Sequence, residues 1–147
     1  FKAVFALAYE SGTLRAVGLD EAGNPQEETT LATAGKPAKL RLTAETRSMK
    51  ADGQDLVYVV AEVLDKQGRV VPIADNRLSF TIKGAGVIEA TGSADLKDME
   101  AYTKASRKAW KGRAVAVVRS NGKKGRITLK VTSPGLSQAS VVWMAEK

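Results

Sequence analysis

The eight residues Leu56–Val63, LVYVVAEV, are apolar at all but one position and closed off on both sides by turn chemistry. Asp52-Gly53 stands before them and Asp65-Lys66-Gln67-Gly68 after them. Glycine accepts positive φ there, and aspartate caps its own turn. The run is too short for a helix, and its valine content suits a strand. As a strand it places Val57, Val59, Ala61 and Val63 on one face, and Leu56, Tyr58, Val60 and the polar Glu62 on the other. Lys50–Pro72 therefore reads as a central strand of a β-sandwich with its two turns, buried on at least one face.

The remaining punctuation agrees. Residues 3–9, AVFALAY, read as a strand, Thr13–Leu19 as its partner, Asp20–Pro25 as a loop and Glu27–Thr33 as a polar third strand. A three-stranded meander is too thin to stand as a sandwich, so residues 1–35 read as the terminal strands of a preceding β-sandwich domain. Ala34-Gly35-Lys36-Pro37 resembles a short linker. From there KLRLTAE alternates, with Leu40 and Leu42 on one face, and Val70–Ile73 with Pro72 belongs at an edge or a crossover. Arg77–Ile82 points Leu78, Phe80 and Ile82 inward, and Val87–Ala90 follows a Gly84-Ala85-Gly86 turn. Gly92–Thr103 is a polar loop, and residues 105–112 lead into Arg113–Ser120. Asn121-Gly122-Lys123-Lys124-Gly125 is a hairpin signal, followed by Ile127, Leu129 and Val131 on one face and by Gln138–Met144 as the closing strand. Seven or more short strands with turns roughly every 8–12 residues make residues 36–147 an immunoglobulin-like β-sandwich in an all-β chain.

Composition removes most chemistry. The 147 residues contain no cysteine and no histidine. That excludes disulfides, thiol nucleophiles, the commonest general base and the commonest zinc ligand. Aromatics are 5% of a chain that is 44% hydrophobic, so the core is aliphatic. No apolar run approaches the roughly 18 residues that cross a bilayer, and no membrane partner is expected. FKAVFALAYESG lacks the long apolar core and cleavage site of a signal peptide. Of the net charge of +7, much falls between Ala101 and Ala145, where Lys104, Arg107, Lys108, Lys111, Arg113, Arg119, Lys123, Lys124, Arg126 and Lys130 occur without one acid. Such a block could meet nucleic acid, an anionic glycan or an acidic neighbouring domain, or serve as a solubilising surface. No nucleic-acid-binding motif accompanies it, and a nucleic-acid partner is not expected.

Several segments carry a resemblance. YESGTLRAVGLDEAGN (9–24), TAGKPAKLRLTAE (33–45), ADGQDLVYVVAEVLDKQGRVVPIADNRLSFTIKGAG (51–86) and AWKGRAVAVVRSNGKKGRITLKVTSPGL (109–136) resemble, in order and over nearly the whole chain, the C-terminal region of glycoside hydrolase family 2 β-galactosidases of the Bacteroidetes type. Two places depart from that pattern: Thr91-Gly92-Ser93-Ala94-Asp95 stands where members carry an Asn-Gly-Asp turn, and Trp110 where they often carry Phe. The resemblance implies an upstream TIM barrel holding both catalytic glutamates, so no glutamate here inherits either role. It implies a non-catalytic β-sandwich module of a periplasmic or secreted exo-glycosidase, packing on the other domains of its parent or shaping the active-site rim. A carbohydrate-binding or invasin-like adhesion module is the competing class.

The candidate site residues are few. Asp52, Asp55 and Asp65 flank the central strand, where carboxylates can hold calcium, but without an Asp-x-Asp-x-Asp run they read as turn caps. Asp75-Asn76 reads as a turn. Asp95, Asp98 and Glu100 share one loop with nothing apolar to raise a carboxyl pKa, as retaining hydrolysis by a carboxyl pair about 5 Å apart demands. Gly84, Gly86 and Gly92 form no phosphate loop, and no cofactor or metal is expected. Tyr58 and Trp143 sit at strand positions and read as core. Tyr102 and Trp110, in the basic loop-rich stretch, are the candidates for a glycan or inter-domain contact. The open edges of residues 1–35 predict a possible homodimer.

Overall fold

The computed structural model describes residues 3–146. It contains two compact units that divide between Ala34 and Gly35. The first holds an antiparallel ribbon of β1 (Thr13–Leu19) and β2 (Pro25–Ala32), with Thr13 opposite Ala32. Asp20 closes its turn by accepting the N–H groups of Ala22 and Asn24 at 2.9 and 2.8 Å. Residues 3–9, expected as a third strand, pair with nothing among the described residues, and Val4, Phe5, Leu7 and Tyr9 are exposed. An apolar run becomes a strand only where a sheet edge answers its N–H and C=O groups, and residues 3–9 do not join the open edge of the ribbon. The polar strand starts at Pro25, inside the expected loop, which suits proline at a first strand position.

The second unit carries β3 (Lys39–Ala44), β4 (Ser48–Lys50), β5 (Leu56–Leu64), β6 (Arg77–Gly84), β7 (Gly86–Gly92), β8 (Ser106–Lys108), β9 (Arg113–Ser120), β10 (Gly125–Thr132) and β11 (Ala139–Glu146). They form two sheets, ordered β3-β5-β9-β7 and β4-β11-β10-β6-β8, with β4 parallel to β11 and the other pairings antiparallel. Alternation explains the core. Val57, Val59, Ala61 and Val63 from β5 and Ala114, Ala116 and Val118 from β9 are buried in one sheet. Leu78, Phe80, Ile127, Leu129, Val131 and Trp143 are buried in the other. The Trp143 indole N–H donates to Met49 Sδ at 3.3 Å, so the largest core side chain keeps a polar partner,.

Two expectations change and one holds. Asn121–Gly125 is not a hairpin: β9 pairs β5 and β7, while β10 pairs β6 and β11, so both neighbours of each strand are already taken. The turn instead carries the chain from one sheet to the other. It is anchored by Asn121, whose N–H reaches Ala85 O and whose side-chain amide donates to Gly84 O. Val70–Ile73 lies, as expected, at a crossover: it leads from β5 in one sheet towards β6 in the other, with a single bridge, Val70 to Leu64, before a turn at Pro72-Ile73. Tyr58 is not core: it is 46% exposed, on the outer face of β5.

The polar loop between β7 and β8 is ordered by one side chain. Arg107 sits on the inward face of β8, only 1% exposed. Its guanidinium donates to Asp98 Oδ2 at 2.7 Å, to the carbonyls of Thr91, Glu100 and Ala101 at 2.8, 3.1 and 2.9 Å, and to Thr91 Oγ1 at 3.4 Å. Five donors in a fixed fork suit such an all-round cage. The Glu100 N–H and the Arg107 guanidinium hold the Asp98 carboxyl below its ordinary pKa. Asp65 is held low in the same direction by the N–H of Gly35 and then of Arg69.

A Cβ on Gly84, at φ +98°, would stand 1.8 Å from the Arg126 carbonyl, whereas one on Gly122, at φ +80°, meets nothing within 4 Å. Gly122→Ala should cost only about 1 kcal/mol of backbone strain, and Gly84→Ala several times that, in urea unfolding. Arg107→Met leaves the buried Thr91 carbonyl, the part-buried carbonyls of Glu100 and Ala101 and the Asp98 carboxylate unanswered, and should cost about 3–5 kcal/mol. Because the native Asp98 and Asp65 carboxyls ionise below their unfolded values, their stabilisation is complete above about pH 4 and is lost as pH falls through the native values. The melting temperature should therefore be flat from pH 7 to about 5 and fall below about 4. Asp98→Asn should show a shallower acid slope.

Candidate functional site

The outer face of the β3-β5-β9-β7 sheet is the most distinctive surface of the domain. The side chains of β5 that alternate away from the core are Leu56, Tyr58, Val60 and Glu62, and the first three are 37%, 46% and 39% exposed. Register sets Val60 beside Val115 and Tyr58 beside Val117, both half-buried, and puts Ala90 of β7 beside Val117. The result is a continuous apolar strip across the middle of the sheet.

Ion pairs close both ends of the strip. At one end Arg41, Glu62 and Arg113 lie opposite one another on three neighbouring strands. Arg41 grips Glu62 Oε2 through Nε and Nη2 at 2.8 and 2.6 Å, and Arg113 Nε reaches Oε1 at 3.1 Å. Burial pushes the Glu62 carboxyl up, but the hydrogen bonds and charges of the two arginines outweigh it and hold it below its ordinary range. A carboxylate held in its ionised form by three arginine donors is a weak base for a substrate,. At the other end a bulge in β7 adds Glu89 between Ile88 and Ala90, and Glu89 Oε2 accepts from Arg119 Nε at 2.7 Å,.

The loop locked by Arg107 borders this face. The Tyr102 ring, 67% exposed, lies where a Cβ on Gly92 would meet it at 3.7 Å, beside Val115, and the Arg107 guanidinium carbon stands 5.4 Å from its centroid. Leu96 and Met99 project from the same loop, almost wholly exposed. Trp110, 41% exposed, is pinned in a two-residue turn. Its N–H and C=O pair with those of Arg113 at 2.8 and 3.0 Å, and Lys111 and Gly112 between them take φ of 48° and 76°,.

The other candidates are structural. Asp52 Oδ1 accepts the N–H groups of Gln54 and Asp55, and Asp55 Oδ2 that of Lys50. Asp75 pairs with Lys108 at 2.8 Å, and Glu100 pairs with Arg77 at 2.6 Å and with Lys104 at 3.6 Å. Among the described residues no three Asp or Glu side chains gather as a metal site would require. The basic block is also divided. Lys104, Arg107, Lys108, Arg113 and Arg119 all pair with upstream carboxylates. The buried Arg107 cannot join a surface patch. The signal missed in the sequence was the unpaired outer face of β5: alternation marks two faces, but only the register shows that valines from β9 extend the outer one.

Comparison with known proteins places this domain. Residues 40–142 match the family model for glycoside hydrolase family 2 C-terminal domain 5. The β-galactosidase BoGH2A of Bacteroides ovatus is 39% identical over 139 residues, which covers 95% of this chain and 16% of that protein. A crystal structure of a family 2 glycosyl hydrolase from Bacteroides cellulosilyticus superposes with a TM-score of 0.89 at 35% identity, over 96% of this chain and 18% of that one. The D00-D0 domain of intimin shares the fold alone, at a TM-score of 0.57 and 20% identity over 94% of this chain and 66% of that one. The all-β sandwich expected from the turns and the family expected from the motifs agree with these matches, and the chain belongs to the C-terminal domains of glycoside hydrolase family 2.

Proposed function

We propose that this chain is a non-catalytic accessory module of a larger, periplasmic or secreted family 2 β-galactosidase. In this reading it docks on a neighbouring domain of the same polypeptide through the outer face of the β3-β5-β9-β7 sheet. The observation that carries it is the strip of Leu56, Tyr58, Val60, Val115 and Val117 between two closed ion-pair networks. An apolar centre with a polar, internally satisfied rim is the anatomy of a protein interface. The small share of its relatives that the chain spans supports a covering domain outside it. Tyr102 and Trp110 then serve as contacts at the edge of the docked face. Catalysis is assigned elsewhere, because Glu62, Asp98 and Glu100 are all consumed by arginines. The isolated chain should release no product from aryl β-galactosides between pH 4 and 8. The replacements Tyr58→Asp and Val60→Asp together should leave its melting curve in place. They should weaken its association with the separately expressed remainder of its parent by about tenfold or more in titration calorimetry. Undiminished association would remove this face from the interface.

Residues 1–35 belong, in the same reading, to a preceding β-sandwich domain that they complete. The support is a two-stranded ribbon exposed almost throughout, next to an unpaired apolar run at residues 3–9. Such edges pair with whatever strand is offered, so the isolated chain should form a homodimer through residues 1–35. Light scattering at high concentration should give twice the chain mass, and the monomer mass after deletion of those residues.

A further inference from the structure

The two sheets treat their outward cations in opposite ways. On β3-β5-β9-β7, Arg41, Arg113 and Arg119 each meet a carboxylate. On the outer face of β4-β11-β10-β6-β8, Lys83, Arg126 and Lys130 meet none within ion-pair distance among the described residues. Register fixes their arrangement: Thr128 faces Lys83, Thr81 faces Lys130, and Arg126 lies two residues from Thr128 on the same side of β10. Lys83 is thus the diagonal neighbour of both other cations, about 7–8 Å from each, and Arg126 and Lys130 stand about 13–14 Å apart along the strand. The carboxylates on this side lie at its margins. Asp75 and Glu100 pair with Lys108 and Arg77 beside β8, and Glu146 lies at the far end of β11 opposite Lys50.

Like charges on diagonal positions repel, and the fold leaves this repulsion uncancelled where it cancels it on the other sheet. Between the cations lie the exposed or half-buried hydroxyls of Thr81, Thr128 and Ser140. The exposed apolar groups of this face, Val142 and Met144, lie on β11 beside Thr128 and Arg126. We infer that this face binds a carboxylate-bearing polysaccharide, a polymer of uronic acid residues laid across β11, β10 and β6. Spaced single cations match a polymer with one negative charge on every sugar or two, hydroxyls match its neutral oxygens, and Arg126 offers a fork to a carboxylate. Two apolar side chains, Val142 and Met144, interrupt this polar face, whereas the opposite face carries a continuous apolar strip. This inference is independent of the docking role of the other sheet.

The test uses the 147-residue chain with polygalacturonate in affinity electrophoresis and titration calorimetry. Binding should be at least about tenfold tighter than to dextran and should weaken as salt rises. Combined Lys83→Ser, Arg126→Ser and Lys130→Ser should reduce the affinity by at least about tenfold with an unchanged melting temperature. A variant of equal net charge, Lys36→Ser, Lys66→Ser and Lys97→Ser, should bind like the parent, as should Tyr102→Ala. Equal loss in both triple variants would overturn the site. So would equal affinity for dextran, dextran sulfate or single-stranded DNA, which would mark a polycation without selectivity.

Discussion

A guanidinium cut off from water has to be answered by the groups around it, and Arg107 is answered by a whole loop. The segment between β7 and β8 has no apolar periodicity and no secondary structure of its own. Three of its carbonyl or carboxylate groups, on Asp98, Glu100 and Ala101, converge on one side chain together with both oxygens of Thr91. The usual objection to a buried charge, its lost hydration, is met here by acceptors that would themselves be unsatisfied without it. Loop and cation therefore stabilise each other. Because the loop is fixed, Leu96, Met99 and Tyr102 are presented to solvent from a rigid support rather than from a mobile tip, and Tyr102 lies against the edge of the apolar strip.

That support gives the two faces of the β3-β5-β9-β7 sheet different tasks. The inner face is aliphatic and nearly free of voids at Gly86, where a Cβ would stand 3.1 Å from a Val118 methyl and 3.2 Å from one of Ile127. The outer face keeps apolar groups half-exposed, yet every arginine on it has its carboxylate. Paired charges at a rim are already desolvated in part and have little further hydration to lose when covered. An apolar strip framed this way is easier to bury against another domain than one framed by free lysines.

How much of this was legible in the sequence depends on the scale of the signal. Alternation in β6 and β10 showed the inward residues, and in β5 it separated the two faces, because a side chain has only two directions on a strand,. Motifs at 9–24, 33–45, 51–86 and 109–136 showed the family. The Asn121–Gly125 turn reads as a hairpin in sequence because a turn motif specifies a bend and says nothing about which edges are free. Tyr58 reads as core because alternation cannot say which of two apolar faces is covered. Arg107 looked like one more residue of a basic run, since its burial depends on loop carbonyls that no local pattern announces. The three-residue strands β4 and β8 carry no period at all, and their pairing with β11 and β6 is wholly tertiary.

The charge distribution shows the same division between local pattern and fold. In sequence, residues 101–145 form one unbroken basic block. In the fold, acids from Glu62, Asp75, Glu89, Asp98 and Glu100 return to half of it. The acids neutralise the strand pairings β5–β9 and β7–β9 and the loop ends, while β10 and its partner β6 receive none along their outer middle. Net charge is a property of the chain, but the field a partner meets depends on where the acids fold back. On this domain the uncancelled part lies on one sheet and the apolar strip on the other, so a single small sandwich can face a charged, hydrated partner on one side and a protein domain on the other without either surface compromising the core between them.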